Sequence, residues 1–272
     1  PTIGFLINDV VNTYQYTIWC GVDAGCREAG FDLTVFTGGE LGSTDPVKAV
    51  RARVFELANS RNIQGLVIGA PAVGNHLSPE QVAEYCRSFD PLPVVTVGFE
   101  IPGVPTVLVN NIAGMEEAVE HFVTVHGRKR IGFIGGPPAN PEARDRIGAY
   151  RRILERHGLG PVPEWEAVAN FDLGQARDAM RRMLDANLGL DGVVAANDAM
   201  ALGALEALQE RGIRVPDQVA VCGFDDILET SFCTPPMSTV RQPILNQGLM
   251  GVRMLREMLA GRSPDQIRPM LP

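Results

Sequence analysis

From Val193 to Ile227 the sequence VVAANDAMALGALEALQERGIRVPDQVAVCGFDDI spells a strand, a helix and a second strand with little between them. Val193 to Ala196 is an apolar run that Asn197 and Asp198 end. Ala201, Leu202, Leu205 and Leu208 then recur at helical spacing until Gly212 stops the helix. Val219 to Phe224 is the second apolar run, and it ends in Asp225-Asp226. Two strands of one sheet joined by a helical crossover run parallel, so their C-terminal ends share an edge. Asn197 and Asp225 are therefore expected to face one crevice, where open α/β sheets bind ligands.

The rest of the chain repeats this grammar. Apolar β-type runs at Ile3–Ile7, Leu33–Phe36, Gly65–Ala70 and Val94–Val97 alternate with helical patterns at about 14–29, 46–61 and from Ser78 onward. After Pro105 the pattern starts again: Val107–Val109, a helix at about 113–125, Ile131–Ile134, Ala167–Ala169 and a helix at 175–186. Gly4-Phe5-Leu6-Ile7, with its helix ending at Gly30, is echoed by Gly132-Phe133-Ile134, with its helix ending at Gly158. The echo predicts two similar lobes, each a parallel sheet flanked by helices. Cys233 to Pro243 reads as a connector with a brief strand, and Leu245–Leu259 as a final helix. The sequence stops mid-pattern at Met270-Leu271-Pro272, as expected of a chain that continues.

Composition narrows the function classes. At 272 residues, 45% hydrophobic and 21% charged, the chain has enough apolar side chains for two domain cores. No apolar run approaches the roughly 18 residues that span a bilayer, and no signal peptide opens the chain, so a cytoplasmic location and no membrane partner are expected. The net charge of −8 disfavours phosphate contact, since Arg128-Lys129-Arg130 is the only basic cluster. Five scattered cysteines without a CxxC pair point to reduced thiols. The four histidines lack metal-ligand spacing, and neither a P-loop nor a G-x-S-x-G elbow occurs. No catalytic residue, metal or cofactor is expected.

Several separated motifs carry a resemblance. Gly127-Arg128-Lys129-Arg130-Ile131-Gly132-Phe133-Ile134-Gly135 is followed by R-x-x-x-Y-x-x-x-L-x-x-x-G from Arg146 to Gly158. Ala196-Asn197-Asp198-x-Met200-Ala201-x-Gly203, Val215-Pro216-Asp217, Gly223-Phe224-Asp225-Asp226 and Pro235-Pro236-Met237-Ser238-Thr239-Val240-Arg241-Gln242 complete the set. In sequence and spacing the chain resembles the ligand-sensing part of the lactose-repressor/galactose-repressor family of bacterial regulators.

The resemblance implies a type I periplasmic binding protein-like fold: two α/β lobes joined by three crossovers, with a small polar, sugar-like effector between them. It implies a first lobe of residues 1–110 plus 242–269 and a second of 111–241, with a return to the second lobe beginning at 270–272. Nothing in the sequence matches the family's helix-turn-helix, so operator DNA is expected to be reached only through a separate N-terminal domain. A homodimer is implied by analogy.

Arg146 matches the arginine that reaches the effector, and its planar fork suits paired hydroxyls or a carboxylate. Arg144 competes for that role. Asp225 can accept hydrogen bonds from adjacent hydroxyls, while Asp226 is assigned to the turn. Asn197 is assigned to ligand and Asp198 to structure, although Asn-Asp before a helix is also an ordinary cap. Phe171 is a stacking candidate. In the first lobe Asn8, Asp9, Tyr14, Gln15, Gly69 and Phe99 follow or end strands and complete the set. Gly98 and Asn110 stand where relatives often carry aspartate, which speaks against a simple monosaccharide. The leading expectation is an effector-binding module of a transcriptional regulator. Its alternatives are the sensor module of a histidine kinase or diguanylate cyclase, and a transporter's solute-binding protein.

Overall fold

The computed structural model describes residues 1–160, 162–262 and 270–271. By backbone contacts the chain divides into a first unit, Pro1–Val109 with Ala139–Pro141 and Pro243–Pro272, and a second, Asn110–Pro138 with Glu142–Gln242.

The first unit opens with β1 (Thr2–Ile7), α1 (Thr13–Ala29), β2 (Asp32–Thr37) and α2 (Pro46–Arg51). It continues with β3 (Gly65–Gly69), α3 (Ala70–Val73), α4 (Pro79–Arg87), β4 (Val94–Gly98) and β5 (Thr106–Val109). The sheet runs β2-β1-β3-β4-β5, all parallel. Its central strands, β3 and β4, are almost wholly apolar because both faces are covered, and the one exception within them, Thr96, is paired with Thr106 at 2.6 Å. One face carries Ile18, Val22, Val252 and Leu255, and the other Phe55, Ile63, Val82 and Cys86. Capping fixes the helix ends. Asn12 accepts the Tyr14 N–H at the start of α1, and Gly30, at φ 70, closes it. Ser78 and Gln81 form a reciprocal capping box on α4.

The second unit repeats the plan with α5 (Asn111–Thr124), β6 (Ile131–Gly135), α6 (Pro141–Arg156), β7 (Glu166–Val168) and α7 (Leu173–Asp185). Then follow β8 (Gly192–Ala195), α8 (Asp198–Glu210), β9 (Ala220–Asp225), α9 (Glu229–Phe232) and β10 (Ser238–Arg241). Its parallel sheet has the order β7-β6-β8-β9-β10. The order reverses direction between β6 and β8, the place where open α/β sheets leave a crevice at their C-terminal edge. The chain returns to the first unit as α10 (Ile244–Leu259) and β11 (Met270–Leu271).

Three details differ from the sequence expectation. The helix predicted over 46–61 is α2 followed by a 3-10 helix, Ala52–Leu57. Phe55 is buried with its ring against Gly38, where a Cβ would come within 2.6 Å of it. β-branched Val54, within the 3-10 stretch, weakens the α-helical alternative there. The strand expected at 167–169 begins one residue earlier. Met270 and Leu271, where a return to the second lobe was expected, pair with Leu108 and Val109 at the edge of the first sheet. Pro272 lies outside the described residues.

All five cysteines are free. Burial pushes the Cys86 and Cys222 thiols up to about 12, which keeps them unreactive. Among the described residues no helix is long and apolar enough to cross a membrane.

Candidate functional site

At the C-terminal edge of the second sheet, α6 follows β6 and brings Arg146 under the ends of β8 and β9. The side chain is 3% exposed. Its Nε and Nη2 both donate to Asn111 Oδ1, at 3.0 and 2.8 Å, and Nη1 donates to the Ala196 carbonyl at 2.6 Å. The guanidinium carbon lies 4.0 Å from the centroid of the Phe224 ring, a cation–π contact in a dry setting. Asp225 Oδ1 stands 4.0 Å from Nη1, and Glu142 Oε1 3.9 Å from Nη2. Arg144, two residues earlier, is exposed and reaches the Pro138 carbonyl at 3.4 Å. The helix thus sorts the two arginines: one turned into the unit, the other to solvent.

Asp225 ends β9 in a left-handed conformation, φ 134, and is 5% exposed. Gln242 grips it twice. Its Nε2 donates to Oδ1 at 2.6 Å, and its backbone N–H donates to the Asp225 carbonyl at 3.3 Å. Burial raises the Asp225 carboxyl well above the usual range, and the neighbouring guanidinium of Arg146 opposes that rise. One guanidinium faces two buried carboxylates.

Asp198, the first residue of α8, is fully buried. It accepts the Thr239 hydroxyl at 2.5 Å and the Ile227 N–H at 2.9 Å, joining the start of α8 to the turn after β9 and to β10. Gly223 makes room for it: a Cβ there would lie 2.0 Å from Asp198 Oδ1. Burial pushes this carboxyl up to about 6, against the lowering effect of its hydrogen bonds. An acid whose folded value exceeds its ordinary 3.8 contributes stability that is full below 3.8 and lost as pH rises through 6. The span corresponds to about 3 kcal/mol. Asp198→Asn is therefore expected to gain stability relative to wild type between pH 4 and 7. Urea unfolding at both ends of that range reads the difference, and parallel pH profiles for the two proteins would refute it.

The other sequence candidates are placed as follows. Asn197 caps α8, accepting the Met200 N–H at 3.0 Å, directly after the carbonyl that Arg146 uses. Phe171, at φ 60, lays its ring over Gly136 and packs on the core of the second unit. Asp226 takes the turn role, accepting Arg241 Nε at 2.5 Å.

In the first unit Asn8 accepts the Asp9 N–H, and Asp9 accepts those of Val11 and Asn12, so both side chains shape the turn after β1. Tyr14 packs on the α1 face of the core. Gln15 Oε1 is shielded from solvent and has no hydrogen-bond partner among the described residues. Gly69 is buried at the end of β3, and Phe99 is a core ring on the opposite face. Gly98 has φ 124, and a Cβ there would meet Pro71 at 2.3 Å, so this backbone admits no aspartate. Asn110 caps α5 through the Ala113 N–H.

Asn111, Glu142, Phe224 and Gln242 belong to the site and were not singled out from sequence. Glu142 was within reach of that reading, standing four residues before Arg146 on one helix. A cavity of about 400 Å³ in the first unit, lined by Phe55, Tyr85 and Phe89 among others, touches none of these candidates. Among the described residues no group of three His, Cys, Asp or Glu could hold a metal ion.

Comparison with known proteins bears on the fold and the family. A family model described as a periplasmic binding protein-like domain matches residues 119–272. The chain is similar to the ribose operon repressor of Escherichia coli strain K12, 29% identical over 256 residues, covering 93% of this chain and 74% of that protein. It is also similar to the HTH-type transcriptional repressor CytR of the same organism, 30% identical over 261 residues, covering 96% and 73%. A solved complex of the transcriptional regulator CelR with cellobiose superposes with a TM-score of 0.85 at 26% identity, over 99% of this chain and 81% of that one.

Proposed function

We propose that this chain, which belongs to the lactose-repressor/galactose-repressor family of transcriptional regulators as its periplasmic binding protein-like, effector-binding domain, binds a small polyhydroxylated ligand through Arg146 and Asp225. The buried Arg146–Asp225 pair at the C-terminal edge of the second sheet, beside its switch point, carries the reading. A fork of N–H donors beside a carboxylate suits adjacent hydroxyl groups. Asn197 and Phe171 are assigned as neighbouring contacts. On the first unit the assignment falls on Asn8, Asp9, Tyr14, Gln15, Gly69 and Phe99. A sugar or related polar metabolite is the class favoured, in keeping with one relative named for ribose and another solved with cellobiose.

The role is binding rather than catalysis, in line with relatives named as repressors. Operator DNA would be contacted through a helix-turn-helix of the kind for which CytR is named. The net charge of −8 gives these two units no part in that contact. The working species would be a homodimer.

The test is ligand-induced thermal stabilisation with a panel of D-ribose, other pentoses and hexoses, cellobiose and nucleosides. A ligand at 100 times its Kd adds about 2.7 kcal/mol, which is about 5 °C or more for a chain of this size. Arg146→Lys and Asp225→Asn, which keep side-chain volume, are expected to lose that shift. Wild-type responses in both variants would mean that the site is elsewhere, and silence across the panel in wild type would remove the ligand class.

A further inference from the structure

The cavity of about 400 Å³ in the first unit is lined on one side by α2 and the 3-10 helix after it, and on the other by α4 and the residues that follow α4. The sequence itself leaves this space. Along the segment 46–58 Val47, Val50 and Leu57 are turned to solvent while Ala52 and Ala58 are buried, the reverse of an ordinary amphipathic helix. Two methyl groups stand where larger side chains would fill a core. Phe55, the one large side chain that the segment buries, lies against Gly38 and walls the cavity instead of plugging it. Tyr85 on α4 and Phe89 just after it meet edge to face on the lining, 5.2 Å between centroids at 89°. Polar groups are few. Arg53 and Glu56, both exposed at the rim, stand 3.8 Å apart and offset each other's charge. The Ser88 hydroxyl donates to the Tyr85 carbonyl at 2.6 Å. The Tyr85 phenol keeps its proton, because burial, then Cys86 and Glu56 nearby, raise it above the ordinary tyrosine value.

We propose that this cavity is a second ligand site, independent of what binds at Arg146 and Asp225, and that it takes a small uncharged aromatic molecule carrying a carbonyl acceptor for the Tyr85 hydroxyl. The volume lies in the lower part of the range of small-molecule sites, which suits one ring or two fused rings. Phe55, Tyr85 and Phe89 favour an aromatic guest over an aliphatic one, since ring pairs gain beyond the area they bury. A charged guest is disfavoured: the two rim charges already answer each other, and an unpaired charge in an apolar cavity is costly. A guest here joins α4 to the 3-10 segment across space that the protein leaves empty. Its binding therefore adds to the stability of the first unit.

Titration of the whole chain, carrying alanine labelled with carbon-13 in its methyl group, with benzamide tests this by NMR. The Ala49, Ala52 and Ala58 methyls, all on the lining, are expected to shift with a Kd of about 1 mM. Ala201 and Ala204, in the core of the second unit, are expected to stay in place. Cyclohexanecarboxamide, benzoate and benzylamine, which lack the ring or carry a charge, are each expected to bind at least about fivefold more weakly. Tyr85→Phe is expected to weaken benzamide about fivefold, the scale of one hydrogen bond, and to leave cyclohexanecarboxamide weaker still. Ala52→Leu, which grows into the space, is expected to abolish the shifts without lowering the urea midpoint. Ala49→Leu, at the exposed rim, gives the same reading from a position that folding tolerates. The proposal is overturned if the three methyls stay in place up to about 10 mM benzamide. It is equally overturned if a charged or aliphatic probe matches benzamide, or if both leucine variants bind as wild type does.

Discussion

Alanine at Gly21 is expected to destabilise the first unit by about 3 kcal/mol, although alanine is the better helix former. Glycine to alanine within an exposed helix gains up to about 1 kcal/mol of propensity. At Gly21 packing reverses that sign. A Cβ there would lie 2.0 Å from the Leu245 carbonyl oxygen of α10, and one at Gly248 would lie 2.3 Å from the Ile18 carbonyl oxygen of α1. Backbone on backbone has no rotamer to yield, so the helices must separate along a contact that also holds Val22, Val252 and Leu255. Gly251→Ala is the internal control. Its Cβ would meet only Val97 and Val67 side-chain carbons at 3.3 and 3.4 Å, and a change within about 1 kcal/mol is expected. Urea midpoints for the two variants decide the matter. A neutral or stabilised Gly21→Ala protein would mean that α1 and α10 do not touch backbone to backbone.

Removing Arg146 is expected to cost about 3–5 kcal/mol, the scale for stranding a buried partner charge. Asp225 and Glu142, both buried, would face each other without the guanidinium that opposes burial. The loss is pH-dependent in a definite direction. Without Arg146 the folded-state value for Asp225 moves further up, so stability is kept at low pH and lost as pH rises through that value. Arg146→Ala should consequently be closer to wild type at pH 5 than at pH 8 in chemical unfolding. Arg144→Ala, an exposed change on the same helix, should stay within about 0.5 kcal/mol at both. A pH-independent loss for Arg146→Ala would point to lost packing on Phe224 alone.

The architecture was legible because a parallel sheet covered on both faces writes each strand as an unbroken apolar run, as at Ile3–Ile7 and Val193–Ala196. Helix ends were legible where a local signal sets them, at Gly30 and at Ser78-Pro79-Glu80. The 3-10 stretch was not, because Phe55 leaves the α-helical path to lie on Gly38, a contact between segments. The same limit applies to the site. Arg146 and Asp225 were marked by motif, and the i,i+4 relation to Glu142 is local. Asn111 and Gln242 lie 35 residues before Arg146 and 17 after Asp225, and only the closed sheet brings them in. Asn8 and Asp9 illustrate the opposite difficulty: an Asx turn and a ligand contact ask for the same residues.

A guanidinium carries five N–H donors. On Arg146 two go to Asn111 and one to the Ala196 carbonyl, while the Asp225 and Glu142 oxygens stand at 4.0 and 3.9 Å, beyond bonding reach. The other two N–H donors point toward those carboxylates. A ligand of the proposed kind, with two suitably spaced oxygens, would serve both donors and leave Asn111 and Ala196 in place. A guest with one leaves a donor unserved in a dry place, and a guest with three must evict Asn111 or Ala196. On the proposed reading, selectivity at this arginine is a matter of valence before it is a matter of shape.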